Sequence, residues 1–217
     1  MKFFVLLIFV AFIALIESYQ PTSTNVECKF INGNHDYFYE KFYSCQVLNF
    51  SKIKAESIQI DSVTGIHKPK YSNRDVTVFS IHCTKCEIST FPKGIHKFFT
   101  NIKSIKIDNT KLKKLTKNDL EYFPDLNQLW LPRNEITRIS QDTFKFNPKL
   151  KVIILYGNQI YHIDPKTFTS LKFLVKLDLA DNDCETLGSA SDKEDVDALI
   201  NQIDDNECVS PDYSDEK

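Results

Sequence analysis

Glycine is scarce in this chain of 217 residues, which has five glycines, one methionine and one tryptophan. So few glycines leave little room for the glycine-rich loops that cradle phosphate groups. The Gly-x-Ser-x-Gly and His-Glu-x-x-His patterns of hydrolases and zinc proteases are also absent. The sequence therefore predicts no catalytic centre, no cofactor and no metal site.

Long apolar runs are missing after the first residues. Positions 3–16 form one continuous apolar stretch, preceded by Lys2 and followed by Glu17 and Ser18. This stretch is shorter than the roughly 20 residues that a membrane-spanning helix needs. A basic start, an apolar run and a small residue are the parts of a signal peptide. We expect residues 1–18 to be cleaved and the mature chain to be secreted and extracellular, with no membrane span.

The net charge of −2 is distributed unevenly. Eight lysines lie between Lys93 and Lys117 against Asp108 alone, whereas residues 191–217 contain ten acidic side chains and two lysines. Such runs are typical of solvated faces. The lysines are spread over 25 positions, which is not a nucleic-acid signature, so we expect no nucleic-acid partner.

A pattern with a period of 24 residues occupies the middle of the chain. Its copies place Leu or Ile at the first, fourth and sixth positions, and they begin at residues 102, 126, 150 and 174. The ninth position is Asn134, Asn158 or Asn182 in the last three copies and Thr110 in the first. Looser copies begin at Val76 and Ala55. One copy cannot bury its own apolar face, so several must stack.

This pattern resembles the extracellular leucine-rich repeat proteins, over about residues 55–187. The resemblance implies an α/β solenoid, a horseshoe of about five to six coils with a parallel sheet on its concave side. It also implies that Asn134, Asn158 and Asn182 point inward as a ladder that satisfies buried backbone groups. Phe144 and Phe168, with Leu120 in the equivalent place, are expected to stack as a spine on the return side of the coils.

A solenoid exposes apolar surface at both ends, so it needs caps. In the N-terminal cap, residues 19–54, we expect a hairpin that turns at Asn32-Gly33. In the C-terminal cap, residues 188–208, Ser191-x-x-Glu194 matches a capping box and predicts a helix over 191–203. Residues 209–217 are polar and acidic, which predicts a disordered tail.

The simple ends, each with two cysteines, resemble those of short secreted leucine-rich repeat proteins of insects, including the mosquito leucine-rich immune proteins. That resemblance implies a role in extracellular defence. This chain lacks the C-terminal coiled coil of the longer members, so their dimerisation and partner are not carried over, and an oligomer remains open.

Side chains that point away from the core on the strands would line the concave face. The tryptophan at position 130 falls there, near Ile154 and Tyr156, and exposed aromatic clusters usually mark interaction sites. The predicted ligand site comprises Trp130, Ile154, Tyr156, Val152, Gln128, Lys106, Arg133 and Asp178.

The favoured function is binding of an extracellular protein or a pathogen-associated ligand through this face. A matrix protein that associates with itself is one alternative. A thiol oxidoreductase using Cys83-Thr84-Lys85-Cys86 is another, although redox CxxC motifs normally open a helix. Asn49-Phe50-Ser51 is a glycosylation sequon on the N-terminal cap.

Six cysteines in a secreted chain predict disulfides, and 15 pairings are possible. We predict Cys28–Cys45, Cys83–Cys86 and Cys184–Cys208, because each pair lies within one local unit. The last would fasten the capping helix and contribute about 3 kcal/mol. Crossed pairing of Cys83 or Cys86 is the alternative. Peptide mapping without reduction should recover the three local links, and a link from the N-terminal cap to Cys83 or Cys86 would contradict them.

Overall fold

The computed structural model describes residues 21–34, 41–83, 85–184, 187–204 and 208. The predicted signal peptide and the predicted disordered tail lie outside these residues. No described helix is both long and apolar enough to cross a membrane. The strands are β1 Thr22–Asn34, β2 Lys41–Val47, β3 Lys54–Ala55, β4 Ile58–Thr64, β5 Val78–His82, β6 Glu87–Ile88, β7 Ser104–Asp108, β8 Gln128–Trp130, β9 Arg138–Ile139, β10 Val152–Ile154, β11 His162–Ile163, β12 Lys176–Asp178 and β13 Ser189–Ala190. The α-helices are α1 Ile95–Phe98, α2 Lys117–Leu120 and α3 Lys193–Asp204.

Nine of these strands form one sheet, in the order β13-β12-β10-β8-β7-β5-β2-β1-β4. The six strands from β2 to β12 pair in parallel, one from each coil. Antiparallel pairing occurs only at the two ends, between β1 and β2 and between β12 and β13. The predicted leucine-rich repeat solenoid, with its parallel sheet and capped ends, is confirmed.

The hairpin strand β2 supplies the first coil of the stack. Cys45 on β2 pairs with Phe79 on β5, and Phe79 pairs with Ile105. The sequence pattern placed the first, weakest copy at residues 55–63, but β4 does not lie beside β5. It pairs with β1 instead. The sequence comparison missed this first coil because 34 residues separate Cys45 from Phe79, rather than about 24.

The inward-facing residues of the parallel strands form the core. Leu129, Ile153 and Leu177 are paired in register and fully buried. Strand side chains alternate between faces, so the residues between these leucines and isoleucines face outward. On the return side, the rings of Phe144 and Phe168 stack with centroids 5.6 Å apart, and Leu120 is fully buried.

The ladder asparagines fill the turns that follow the sheet strands. Asn134 Oδ1 accepts hydrogen bonds from the backbone N–H groups of Thr110 and Leu112, at 3.0 and 3.2 Å. Its Nδ2 donates to backbone carbonyls, including that of Ile107 at 2.9 Å. Asn158 and Asn182 repeat this arrangement. Each amide therefore satisfies backbone groups in its own coil and in the preceding one.

Thr110 joins the same ladder through its hydroxyl, which donates to Asn134 Oδ1 at 2.9 Å. Threonine provides fewer hydrogen-bonding groups than asparagine, and the coil before this position is irregular, with 26 residues between Phe79 and Ile105. Thr84, the corresponding residue one coil earlier, lies outside the described residues. The expectation of less regular early coils agrees with this spacing.

The N-terminal cap differs from the predicted hairpin in the position of its turn. Asn32 and Gly33 lie within β1, paired with Tyr43 and Phe42, so the turn falls between Asn34 and Lys41. Gly33 is needed there because a Cβ at this position would lie 2.4 Å from the Phe42 ring. The first half of β1 pairs with β4 and the second half with β2, so one long strand closes the open end of the core.

Aromatic side chains consolidate this cap. Tyr43 is buried and stacks on Tyr71, with ring centroids 4.3 Å apart. The Tyr43 hydroxyl lies 3.0 Å from His67 Nδ1, and His67 also stacks on Phe30 at 3.8 Å. The other ring nitrogen of His67 lies 3.0 Å from Asn73 Oδ1. His67 is therefore a packing residue of the cap, as Tyr43 is.

The C-terminal helix begins at Lys193, two residues later than the capping-box pattern predicted. Asp192 caps it, because its carboxylate accepts a hydrogen bond from the Asp195 backbone N–H at 2.9 Å. Aspartate is as good an N-cap as serine, and its charge also favours the helix N-terminus. Val196, Leu199 and Ile203 are buried against the last coil. The helical cap is thus present with a different capping residue.

The structure places all six cysteines in the three local pairs, with Cα–Cα distances of 5.1 Å for Cys28–Cys45, 5.8 Å for Cys83–Cys86 and 5.1 Å for Cys184–Cys208. All six are buried. The first pair joins β1 to β2, and the third fastens the end of α3 to the last coil.

Replacing Leu199 with aspartate should destabilise the whole solenoid, because it buries a charge between α3 and the last coil. We expect a loss of about 3 kcal/mol in the free energy of unfolding. Ala198→Asp is the matched control: it adds the same charge to an exposed neighbouring position and should cost less than about 1 kcal/mol. Denaturant unfolding measures both, and equal losses would show that α3 does not cover the core.

Candidate ligand-binding face of the sheet

The candidate site is the sheet face, defined here as the outward side chains of the parallel strands β2, β5, β7, β8, β10 and β12. Trp130 lies on β8 between Leu129 and Leu131, which are both fully buried in the core. Trp130 is half-buried and is not part of the core cluster. The register therefore turns the indole outward, as the sequence pattern predicted.

Two neighbours fix the Trp130 indole. Its Nε1 donates a hydrogen bond to Gln128 Oε1 at 3.2 Å. Lys106, which is paired with Trp130 across β7 and β8, places its Nζ 4.8 Å from the ring centroid. An ammonium at this distance over an indole makes a cation–π contact. The indole is thus held at its edge by an amide and across its face by a cation.

Asp108 is the centre of a charged group at the carboxyl end of β7. Arg133 donates to it twice, from Nε to Oδ1 at 3.0 Å and from Nη2 to Oδ2 at 2.5 Å. His82 Nδ1 lies 2.7 Å from the same Oδ2. The carboxylate raises the pKa of Arg133 by accepting its hydrogen bonds. Arg133, predicted as an edge contact, is therefore held in place by Asp108 on the neighbouring coil.

Tyr156 and Asp178 occupy the C-terminal half of the sheet face. Tyr156 is 36% exposed, and its pKa is raised because its hydroxyl bonds to the Asp181 carboxylate. Asp178 is half-buried and bonds to the backbone N–H of Ala180 at 3.2 Å. These two predicted site residues are accessible to a partner.

Three predicted contact residues are buried, and their expected exposure was wrong. Gln128 is 2% exposed, Val152 0% and Ile154 5%. Parallel strands lie about 4.8 Å apart, so side chains in register cover one another. Ile154 lies between Trp130 and Asp178 in this register. These residues support the face from below and do not offer contact area.

The lysines between 93 and 117 do not form a single patch. Lys106 lies over Trp130 on the sheet face. Lys111 is paired with Glu87 at 3.3 Å, and Lys117 with Asp142 at 3.2 Å, both in the segments that follow a sheet strand. The basic run is therefore distributed over different sides of the solenoid.

The sequence pattern missed the backbone conformation at the eighth position of each copy. Asn109, Arg133, Gly157 and Asp181 all have positive φ, between 53° and 68°. Only Gly157 has no Cβ to oppose this conformation. The recurring left-handed residue turns the chain just before each ladder position, and a glycine or asparagine there was the available signal.

Asn49, the predicted glycosylation site, is exposed on a 3₁₀ turn at Asn49–Lys52. Its Oδ1 accepts a hydrogen bond from the Glu27 N–H at 3.1 Å, and its Nδ2 donates to the Asn25 carbonyl at 2.7 Å. The side chain thus ties β1 to the first coil. Glycosylation at Asn49 stays a prediction.

Residues 124–183 match the family model described as leucine rich repeat. No curated protein matches the chain. A solved structure described as a TLR13–ssRNA13 complex is 20% identical over 60% of this chain, with a TM-score of 0.42. The Toll–Spätzle complex of Drosophila is 19% identical over 62%, also with a TM-score of 0.42. The match spans 21% of each of those chains. The repeat assignment rests on the family match and the stacked coils described above.

Gln128→Ala should release the Trp130 indole, because the amide that accepts its N–H is removed. As Trp130 is the single tryptophan, its fluorescence reports the change directly. We expect a red-shifted emission, stronger quenching by acrylamide and a loss of about 1 kcal/mol in stability. Lys176→Ala, two strands away in the same row, is the control and should leave the emission unchanged. Unchanged emission in Gln128→Ala would contradict the hydrogen bond.

Proposed function

We propose that this chain is a secreted recognition protein that binds an extracellular partner through the sheet face. The supporting observation is the fixed, half-buried Trp130 near the middle of six parallel strands. Aromatic residues at the centre of an interface contribute most of the binding energy. An anchor held in place before binding loses little side-chain entropy when the partner arrives.

Polar groups around Trp130 suit the rim of such an interface. Lys106 and Asp178 lie in its row on neighbouring strands, and Arg133 is held by Asp108 on one side. Arg133 is 54% exposed, so its guanidinium is still open to a partner. Charged groups at an interface rim act mainly on specificity and association rate. We propose a protein partner, because this surface is broad and open.

Secretion and a role in defence are part of this proposal. Secretion is supported by the apolar run at residues 3–16 and by the three cysteine pairs, since disulfides persist in oxidising compartments. The defence role is supported by the resemblance to short secreted repeat proteins of insects. A pathogen-associated ligand belongs to the same proposal.

Binding is proposed in preference to thiol chemistry. Cys83 and Cys86 are each 2% exposed, whereas a thiol that exchanges disulfides must be accessible to its substrate. Self-association as a matrix protein remains the competing function. Sedimentation over a range of concentrations separates the two, because self-association predicts growth of the assembly without any added partner.

Trp130→Ala should lose partner binding and keep the fold. We expect affinity for the partner captured from the source's body fluid to fall about 30-fold, corresponding to about 2 kcal/mol. The melting temperature should change little because the indole lies outside the core. The matched control is Phe146→Ala, which removes an aromatic side chain that is 40% exposed on the return side, and it should bind normally.

Two outcomes would overturn this proposal. A large drop in melting temperature for Trp130→Ala would make the indole a structural residue and not an anchor. Unchanged stability together with unchanged binding would move the interface away from the sheet face.

A further inference from the structure

The stacked return side changes where strand β4 enters it. The backbone N–H of Ile60 bonds to the Lys93 carbonyl at 2.9 Å, and the Lys93 N–H bonds to the Ile58 carbonyl at 3.0 Å. Gly94, with φ of 87°, allows this approach, because a Cβ there would lie 2.8 Å from the Ile60 carbonyl oxygen. β4 thus lies against the return segment of the next coil.

A cavity of about 320 Å³ opens beside this junction, between residues 91–97 and 118–123. Its volume is at the lower end of the range for small-molecule sites. Phe91, Pro92, Ile95 and Phe123 give it a buried apolar wall. The Tyr122 ring, which is 56% exposed, stacks on His96 with centroids 3.9 Å apart. The cavity is therefore enclosed on several sides by flat apolar surface.

Asp119 is the half-buried acidic group of this cavity. One carboxylate oxygen, Oδ2, accepts hydrogen bonds from the Thr116 N–H at 2.8 Å and from its hydroxyl at 2.7 Å. No described Lys, Arg or His lies within ion-pair distance of Asp119, and burial raises the pKa of its carboxyl. A cation that reached this carboxylate would therefore remove a cost that folding leaves in place.

The other charged groups of the cavity do not supply that cation. Burial lowers the pKa of His96, which keeps its ring neutral near pH 7. Lys93 and Lys97 are exposed, so water solvates their charge. Glu121 adds a second carboxylate beside Tyr122.

We propose that this cavity binds a small organic amine. The ammonium group would bond to the Asp119 carboxylate, as charge-assisted hydrogen bonds are the strong ones. The apolar body of the ligand would lie against Phe123 and the Tyr122 ring, whose face also attracts a cation. This site is separate from the sheet face and does not depend on the function proposed for it.

The test compares 2-phenylethylamine with 2-phenylethanol, which has nearly the same shape and no charge. Titration calorimetry near neutral pH should show that the wild-type protein prefers the amine by about tenfold. Asp119→Asn keeps the acceptor for Thr116 and removes the charge, so the preference should fall to about twofold or less. Its melting temperature checks that the fold is intact.

Tyr122→Leu provides a second variant that leaves the carboxylate and its cap in place. Binding of both compounds should weaken, and the amine should lose more because the cation–π contact is removed. Trp130→Ala should bind the amine normally. The proposal is overturned if the amine shows no saturable binding up to about 10 mM, if the alcohol binds equally well, or if the amine preference survives in Asp119→Asn.

Discussion

After each sheet strand the chain turns inside the solenoid, where its amide and carbonyl groups cannot reach water. Leaving such groups without partners costs about 1–3 kcal/mol each, so every coil needs an internal donor and acceptor at the same point. The side chain of Asn134 meets this need by accepting from one coil and donating to two. Asn158 and Asn182 do the same, and the period of 24 residues follows from the need to place an asparagine there in every coil.

The ends of the stack are a different problem, because nothing repeats beyond them. At the N-terminal end, β1 pairs with the sheet over one half and with β4 over the other, so a single strand covers the exposed core. At the C-terminal end, α3 lays Val196, Leu199 and Ile203 over the last coil. Both caps are fastened by cysteine pairs. The cavity beside Gly94 lies where the N-terminal solution meets the regular repeats.

The regular part of this fold could be predicted from sequence because a constant period constrains every position at once. Leu129, Trp130 and Leu131 were therefore assigned to the correct faces. The first coil was not recognised, because a longer insertion separates Cys45 from Phe79. The burial of Val152 and Ile154 depends on neighbours one coil away in space, which the alternation of a single strand does not describe. The cavity near Asp119 depends on β4, whose partner could not be inferred.

Contacts on the sheet face join residues about one coil apart in the sequence. Lys106 lies over Trp130, and Asp108 holds Arg133, at separations of 24 and 25 residues. Each outward side chain is thus positioned by the coil before or after it, and no coil determines its own surface alone. A substitution on this face should therefore alter the neighbouring row as well as its own position. This coupling explains how a surface made from three-residue strands can hold a large aromatic ring in one orientation.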